Sequence, residues 1–126
     1  MNIEEIGNTI IKIRNAIELQ VNSDDISGLE KKLNDLSALS GNAAQIVGDC
    51  RGIVLRRQNE IMDSLKDTDY PPNKLKYILD GKMAEELSLF MHAKELNDGL
   101  GKTMISISTV LSVYKEELKN SMRQRT

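Results

Sequence analysis

A chain of 126 residues fits one domain, and 40% hydrophobic against 29% charged residues is the balance of a folded protein rather than a disordered one. Aromatics make up 3%, with no Trp and one Phe, so the core must be Leu, Ile, Val, Met and Ala, a set that suits helix-on-helix packing better than sheets. A net charge of -2 gives no long-range attraction to nucleic acid or to an anionic membrane, and a single cysteine, Cys50, excludes an internal disulfide framework.

The opening MNIEEIGNTI carries Glu4 and Glu5 and no basic stretch, unlike a secretory signal. A helix is predicted over 3–21. Ile3, Ile6, Ile10, Ile13 and Ile17 recur at alternating steps of three and four, which keeps them on one stripe of a helix. Asn22, Ser23, Asp24 and Asp25 break the pattern. Ser23 or Asp24 can cap a new helix, and Ser27 with Glu30 fits a capping box, so several starts stand open.

The second predicted helix covers 26–66 and carries Leu29, Leu33, Leu36, Ala43, Val47, Cys50, Val54 and Ile61 in the same rhythm. Gly41, Ala44, Gly48 and Gly52 cluster on another face. An interior glycine destabilises a helix by about 1 kcal/mol relative to alanine. Two readings of the cluster follow: a tight helix crossing inside a bundle, or a surface facing another copy or a ligand.

Residues 67–73 form the clearest break, because Pro71 and Pro72 cannot lie inside a helix but fit the first turn of the next one. A third helix is predicted over 72–122, with Leu96, Leu100, Met104, Ile107, Leu111, Tyr114 and Leu118 as its later seam. Fifty residues of helix extend roughly 75 Å, against a radius of gyration of about 14 Å for a compact domain of this size. Such a rod must project, pair with another chain or break; Asp98-Gly99-Leu100-Gly101 is the place where it would break, but the seam keeps its phase across that point, which favours an unbroken, bent helix. No apolar run approaches the roughly 18 residues of a membrane span.

Few residues suggest chemistry. Gly99-Leu100-Gly101-Lys102-Thr103 is similar to the end of the phosphate loop of helicase-type ATPases, but Leu96 stands where the first glycine belongs and the preceding residues read as helix. His92 and Glu95, at i,i+3, are too few to hold a metal within one chain. Cys50 falls on the seam, where cysteine serves as a small core residue, although Arg51 beside it would favour a thiolate. The adjacent acid pairs, such as Glu116 and Glu117, diverge by about 100° on a helix and do not converge on a substrate atom. Arg51, Arg56 and Arg57, with Lys12 and Arg14 as possible neighbours, form a short basic cluster. No cofactor is expected and no enzyme.

The segments Ala93-Lys94-Glu95-Leu96-Asn97 and Leu111-Ser112-Val113-Tyr114-Lys115-Glu116-Glu117-Leu118 resemble the C-terminal helix of small all-helical accessory proteins of bacteriophage and prophage genomes. The resemblance covers about thirty residues and is mostly seam periodicity. It implies a cytoplasmic protein of a bacterial host cell, of anti-defence type, that grips a host protein or sequesters a signalling nucleotide in an oligomer.

The expectation is therefore an all-α protein of long amphipathic helices, in a helical hairpin or bundle with coiled-coil-like packing. It should be homo-oligomeric and bind a partner protein, without membrane or nucleic acid. The stripes Ile3, Ile6, Ile10, Ile13 and Ile17, and Leu100, Met104, Ile107, Leu111, Tyr114 and Leu118, are the expected association surface. The alternative is an oligomeric sponge for a small anionic ligand held near Gly48, Arg51, Gly52 and Arg57.

Overall fold

The computed structural model describes residues 1–124 and is all-α among them. Helix α1 spans Ile3–Glu18, α2 Ile26–Leu65, α3 Pro72–Lys82 and α4 Ala84–Gln124.

Each start is fixed locally. The Asn2 side chain accepts from the Glu5 N–H at 2.8 Å and donates to the Glu5 carboxylate at 3.2 Å, which caps α1. Neither Ser23 nor Asp24 caps α2. Asp25 does, accepting from the Gly28 N–H at 3.0 Å. A Cβ on Gly28 would collide with that carboxylate and press on Val21, so a larger residue there would displace the cap. Pro72 opens α3 in its first turn, where a missing N–H costs nothing.

Two boundaries differ from the periodicity. Helix α1 stops at Glu18 rather than at 21, because Leu19 turns extended (φ -57°, ψ 119°) and Lys32 of α2 takes the carbonyls of Ile17 and Leu19. The predicted helix over 72–122 is interrupted at Met83 and not at Gly99–Gly101. Met83 leaves helical geometry (φ -105°, ψ 11°), yet its N–H still reaches the Leu79 carbonyl and its own carbonyl accepts from Leu87. The helix is interrupted for that one residue while these two bonds are kept, and the Met83 side chain is buried at the junction. Helix α4 passes unbroken through Gly99 and Gly101, since burial of Leu100 between them holds the seam in phase.

The helices α2 and α4 run antiparallel and cover one another along most of their length, about 60 Å each. Their length is thus satisfied chiefly inside one elongated chain. The shorter α1 lies antiparallel to α2: the amino group of Met1 meets Asp49 at 3.1 Å, while Ile17 meets Lys32. It completes a three-helix core of Ile6, Ile10 and Ile13 from α1, Leu36, Ala43, Ile46 and Cys50 from α2, and Ala93, Leu100, Ile107 and Leu111 from α4. Burial of these side chains drives the assembly, at roughly 1.5–3 kcal/mol for each large one. No buried polar side-chain atom among the described residues lacks a partner.

Candidate functional site

Of the eleven residues expected to form an association surface, Ile6, Ile10, Ile13, Leu100, Ile107 and Leu111 are buried in the chain's own core. They are closed to another chain in this fold, because three helices of one chain already supply each stripe with neighbours. Ile17 and Met104 pack against that core half-buried. Only Ile3, Tyr114 and Leu118 are exposed. Aspartate at Ile10 or Ile107 therefore attacks the fold itself, not merely an assembly.

The exposed members of the second stripe lie together. From 112 to 124 every residue of α4 is exposed, a length of about 20 Å. The seam keeps its spacing there, with Tyr114, Leu118 and Met122 on one line, and Leu118 is 50% exposed. The reason is a difference in reach. Residues 109–117 of α4 lie beside 23–26, where α2 begins, so the last turns run past the end of their neighbour. Val110, Val113 and Tyr114 face Ile26 across a groove of about 450 Å³, rimmed by Asp24 and Glu117. Val110 and Val113 lie off the seam, so periodicity alone did not mark them. Their place beside the start of α2 is a tertiary fact.

The residues expected to hold an anion do not converge. Gly48 and Arg51 are exposed, Gly52 is half-buried, and Arg57 belongs to a different groove. That groove, of about 690 Å³, joins the start of α1 (Met1, Ile3, Glu4) to Ile53, Arg56, Arg57 and Glu60 of α2 and Glu86 of α4. Arg57 is occupied there: its guanidinium lies 3.4 Å from Glu60 and 3.6 Å from Glu86. The Glu60 contact is an i,i+3 pair along α2. Lys12 and Arg14 do not join the cluster, since Arg14 lines a cleft with His92 and Glu95 toward the other end of α1. Sequence reasoning missed the larger groove because three segments distant in the chain build it.

The remaining motifs take structural roles. In the phosphate-loop-like string the backbone is helical, and the Thr103 hydroxyl donates to the Gly99 carbonyl at 2.8 Å. The amides that would cradle a phosphate are thus spent on the helix. Cys50 is 1% exposed, and burial, followed by the neighbouring Asp49 carboxylate, pushes its thiol pKa up. A nucleophile needs the opposite shift. His92 is exposed on α4, so it shares no surface with Cys50, and no group of three metal-ligating side chains exists among the described residues.

The glycine cluster of α2 does not mark a helix crossing inside the bundle. Gly41 and Gly48 are exposed, and a Cβ on either would meet nothing within 4 Å. The reading of a tight internal crossing is overturned: the core-facing positions of α2 are Leu36, Ala43, Ile46 and Cys50, and the glycines lie on the opposite side.

No helix of the described residues is long and apolar enough to cross a membrane. Comparison of the chain with protein-family models, with curated proteins and with solved structures finds no match.

Proposed function

We propose that this protein is a non-enzymatic interaction protein that docks a helix of a partner protein along the projecting end of α4. One observation carries the reading: the seam that is buried as far as Leu111 continues past Tyr114, at the edge of the groove beside Ile26, to Leu118 and Met122, which are 50% and 63% exposed. A helical end of three or four turns is marginal in water without packing, so a partner laid on that line stabilises it while burying apolar surface. Anchors at i, i+4 and i+8 beside an apolar groove suit recognition of one helix by another. The likeness to phage accessory proteins supports a host protein as the partner.

A photo-crosslinking residue at Leu118, with one at the exposed Lys12 of α1 as control, tests this in cells of the source organism. A discrete heteromeric adduct from position 118 alone, lost when Met122→Asp is added on the same line in a chain of unchanged helicity, is the expected result. Equal labelling from both positions would count against it.

The runner-up is a sponge for a small anionic ligand such as a signalling nucleotide, seated in the groove beside the exposed Arg56. Glu4, Glu60 and Glu86 in the same groove weigh against an anion. A thermal-shift series with nucleotides that produces no stabilisation retires it.

A further inference from the structure

The solvent side of α2 carries more than small residues. Asn34, Gly41, Gly48, Leu55 and Met62 recur every seven residues, and all five are exposed. Leu55 is 51% and Met62 39% exposed, so two large apolar side chains stand on the same line as two open glycines. A heptad stripe is the pattern by which one helix meets another. It has a direction: glycines and Ser37 occupy its first half, and bulk occupies the second.

We infer that this stripe is the contact surface between two copies of the chain, packed antiparallel about a two-fold axis at Gly48. An isologous contact requires a surface that complements itself. With the axis at Gly48, residues equidistant from it face one another across the copies. Leu55 then lies over Gly41 of the second copy, Met62 over Asn34, and each relation is repeated by symmetry. The bulky half of one helix fills the empty half of the other, and at the axis two glycines let the backbones approach. A parallel pairing would instead stack Leu55 on Leu55 and leave the glycine half empty.

The charges fit the same register. Glu30 and Lys66 stand equidistant from Gly48, and Lys31 and Asp63 nearly so. All four are exposed, and none forms an ion pair within the described chain. Across the two-fold, Glu30 meets Lys66 and Lys31 meets Asp63 at each end of the contact. Complementary rim charges of this kind set register more than affinity. The contact runs from Glu30 to the C-cap Lys66, about 54 Å along the α2 axis. It involves neither the α4 end nor its groove, so it goes beyond the proposed partner site and stands or falls separately.

Sedimentation and light scattering of the full chain test the inference. The wild type should have twice the 14.1 kDa monomer mass. Gly48→Leu should be monomeric and fully helical, because the space above Gly48 is empty in the isolated chain. Glu30→Lys should weaken the dimer about tenfold, and adding Lys66→Glu should restore most of it. Gly48→Cys should form an intermolecular disulfide. Ser37→Cys should not, since its copies lie roughly 33 Å apart across the axis. Leu118→Asp should leave the dimer intact. A monomeric wild type, a dimer indifferent to Gly48→Leu, a Ser37→Cys cross-link or a dimer broken by Leu118→Asp each overturns the assignment.

Discussion

Lys32 of α2 donates from its Nζ to the main-chain oxygen of Ile17 at 2.8 Å, and the same ammonium reaches the Leu19 oxygen at 2.6 Å. These carbonyls are among the last acceptors of α1, whose final turn contains no basic residue of its own. A cation at a helix C-terminus satisfies orphan acceptors and complements the helix dipole. Lys32→Met should therefore lower stability by about 1 kcal/mol, the modest end for a charged hydrogen bond, because the site is only half-buried. Amide exchange should rise selectively in the last turn of α1 while the α2 and α4 cores stay protected.

Two leucines on regular three-four seams should respond in opposite ways to the same substitution. Leu36 is fully buried among the helices, whereas Leu118 lies beyond the core on the projecting end of α4. Leu36→Ala should cost about 2–5 kcal/mol, from lost transfer energy and the cavity left behind. Leu118→Ala should change the isolated fold by less than about 0.5 kcal/mol. Urea denaturation of the two variants reads both values. A large loss from Leu118→Ala would mean that the end of α4 is already packed.

That contrast marks how far the sequence is legible. Three-four periodicity identifies helices because it reports the angle of each side chain about its own axis. It placed Ile6 and Leu111 on apolar helix faces, which it assigned to another chain although their own chain buries them, and Pro71 and Pro72 at the turn. It does not report what stands opposite, so Ile13, covered by the same chain, and Leu118, left open, read alike. The interruption at Met83 was invisible for a related reason: Leu79, Met83 and Leu87 keep the apolar spacing through it, and no proline stands there. The glycines at 99 and 101 marked the weakest point of the long helix, the phase of the seam favoured continuity across them, and packing of Leu100 overrides their propensity. The candidate site depended on the relative reach of α2 and α4, and spacing within either helix is silent about that.

Three glycines of α2 should separate by environment when replaced with alanine. Nothing lies within 4 Å of a Cβ at Gly41 or Gly48, so each substitution should raise the stability of the monomer by about 0.5–1 kcal/mol through helix propensity and a less flexible unfolded chain. At Gly28 the new Cβ strikes the Asp25 carboxylate that caps α2, and displacing a cap costs about 1 kcal/mol. Gly28→Ala should thus show no net gain. Denaturation midpoints, compared where the chain is monomeric, would give the order; equal gains at all three positions would show that the cap tolerates the methyl group.

The Cys50 thiol supplies a pH dependence whose sign follows from its burial. Desolvation, reinforced by the Asp49 carboxylate, raises its pKa above that of an unfolded thiol, roughly 8.5. The native state then holds its proton more tightly than the unfolded state does. The stabilisation is fully present below the unfolded pKa and is lost as pH rises through the native one. Stability attributable to this group should be flat through neutrality and fall only above about pH 8.5, and Cys50→Ala should remove that alkaline decline. The variant should also lose stability at every pH, since it removes a core sulfur that is 1% exposed. In native wild type, alkylation at pH 7.5 should be slow and limited by opening of the α2 core. Rapid labelling without loss of helicity would show that the sulfur lies open to solvent and that the seam of α2 is misplaced.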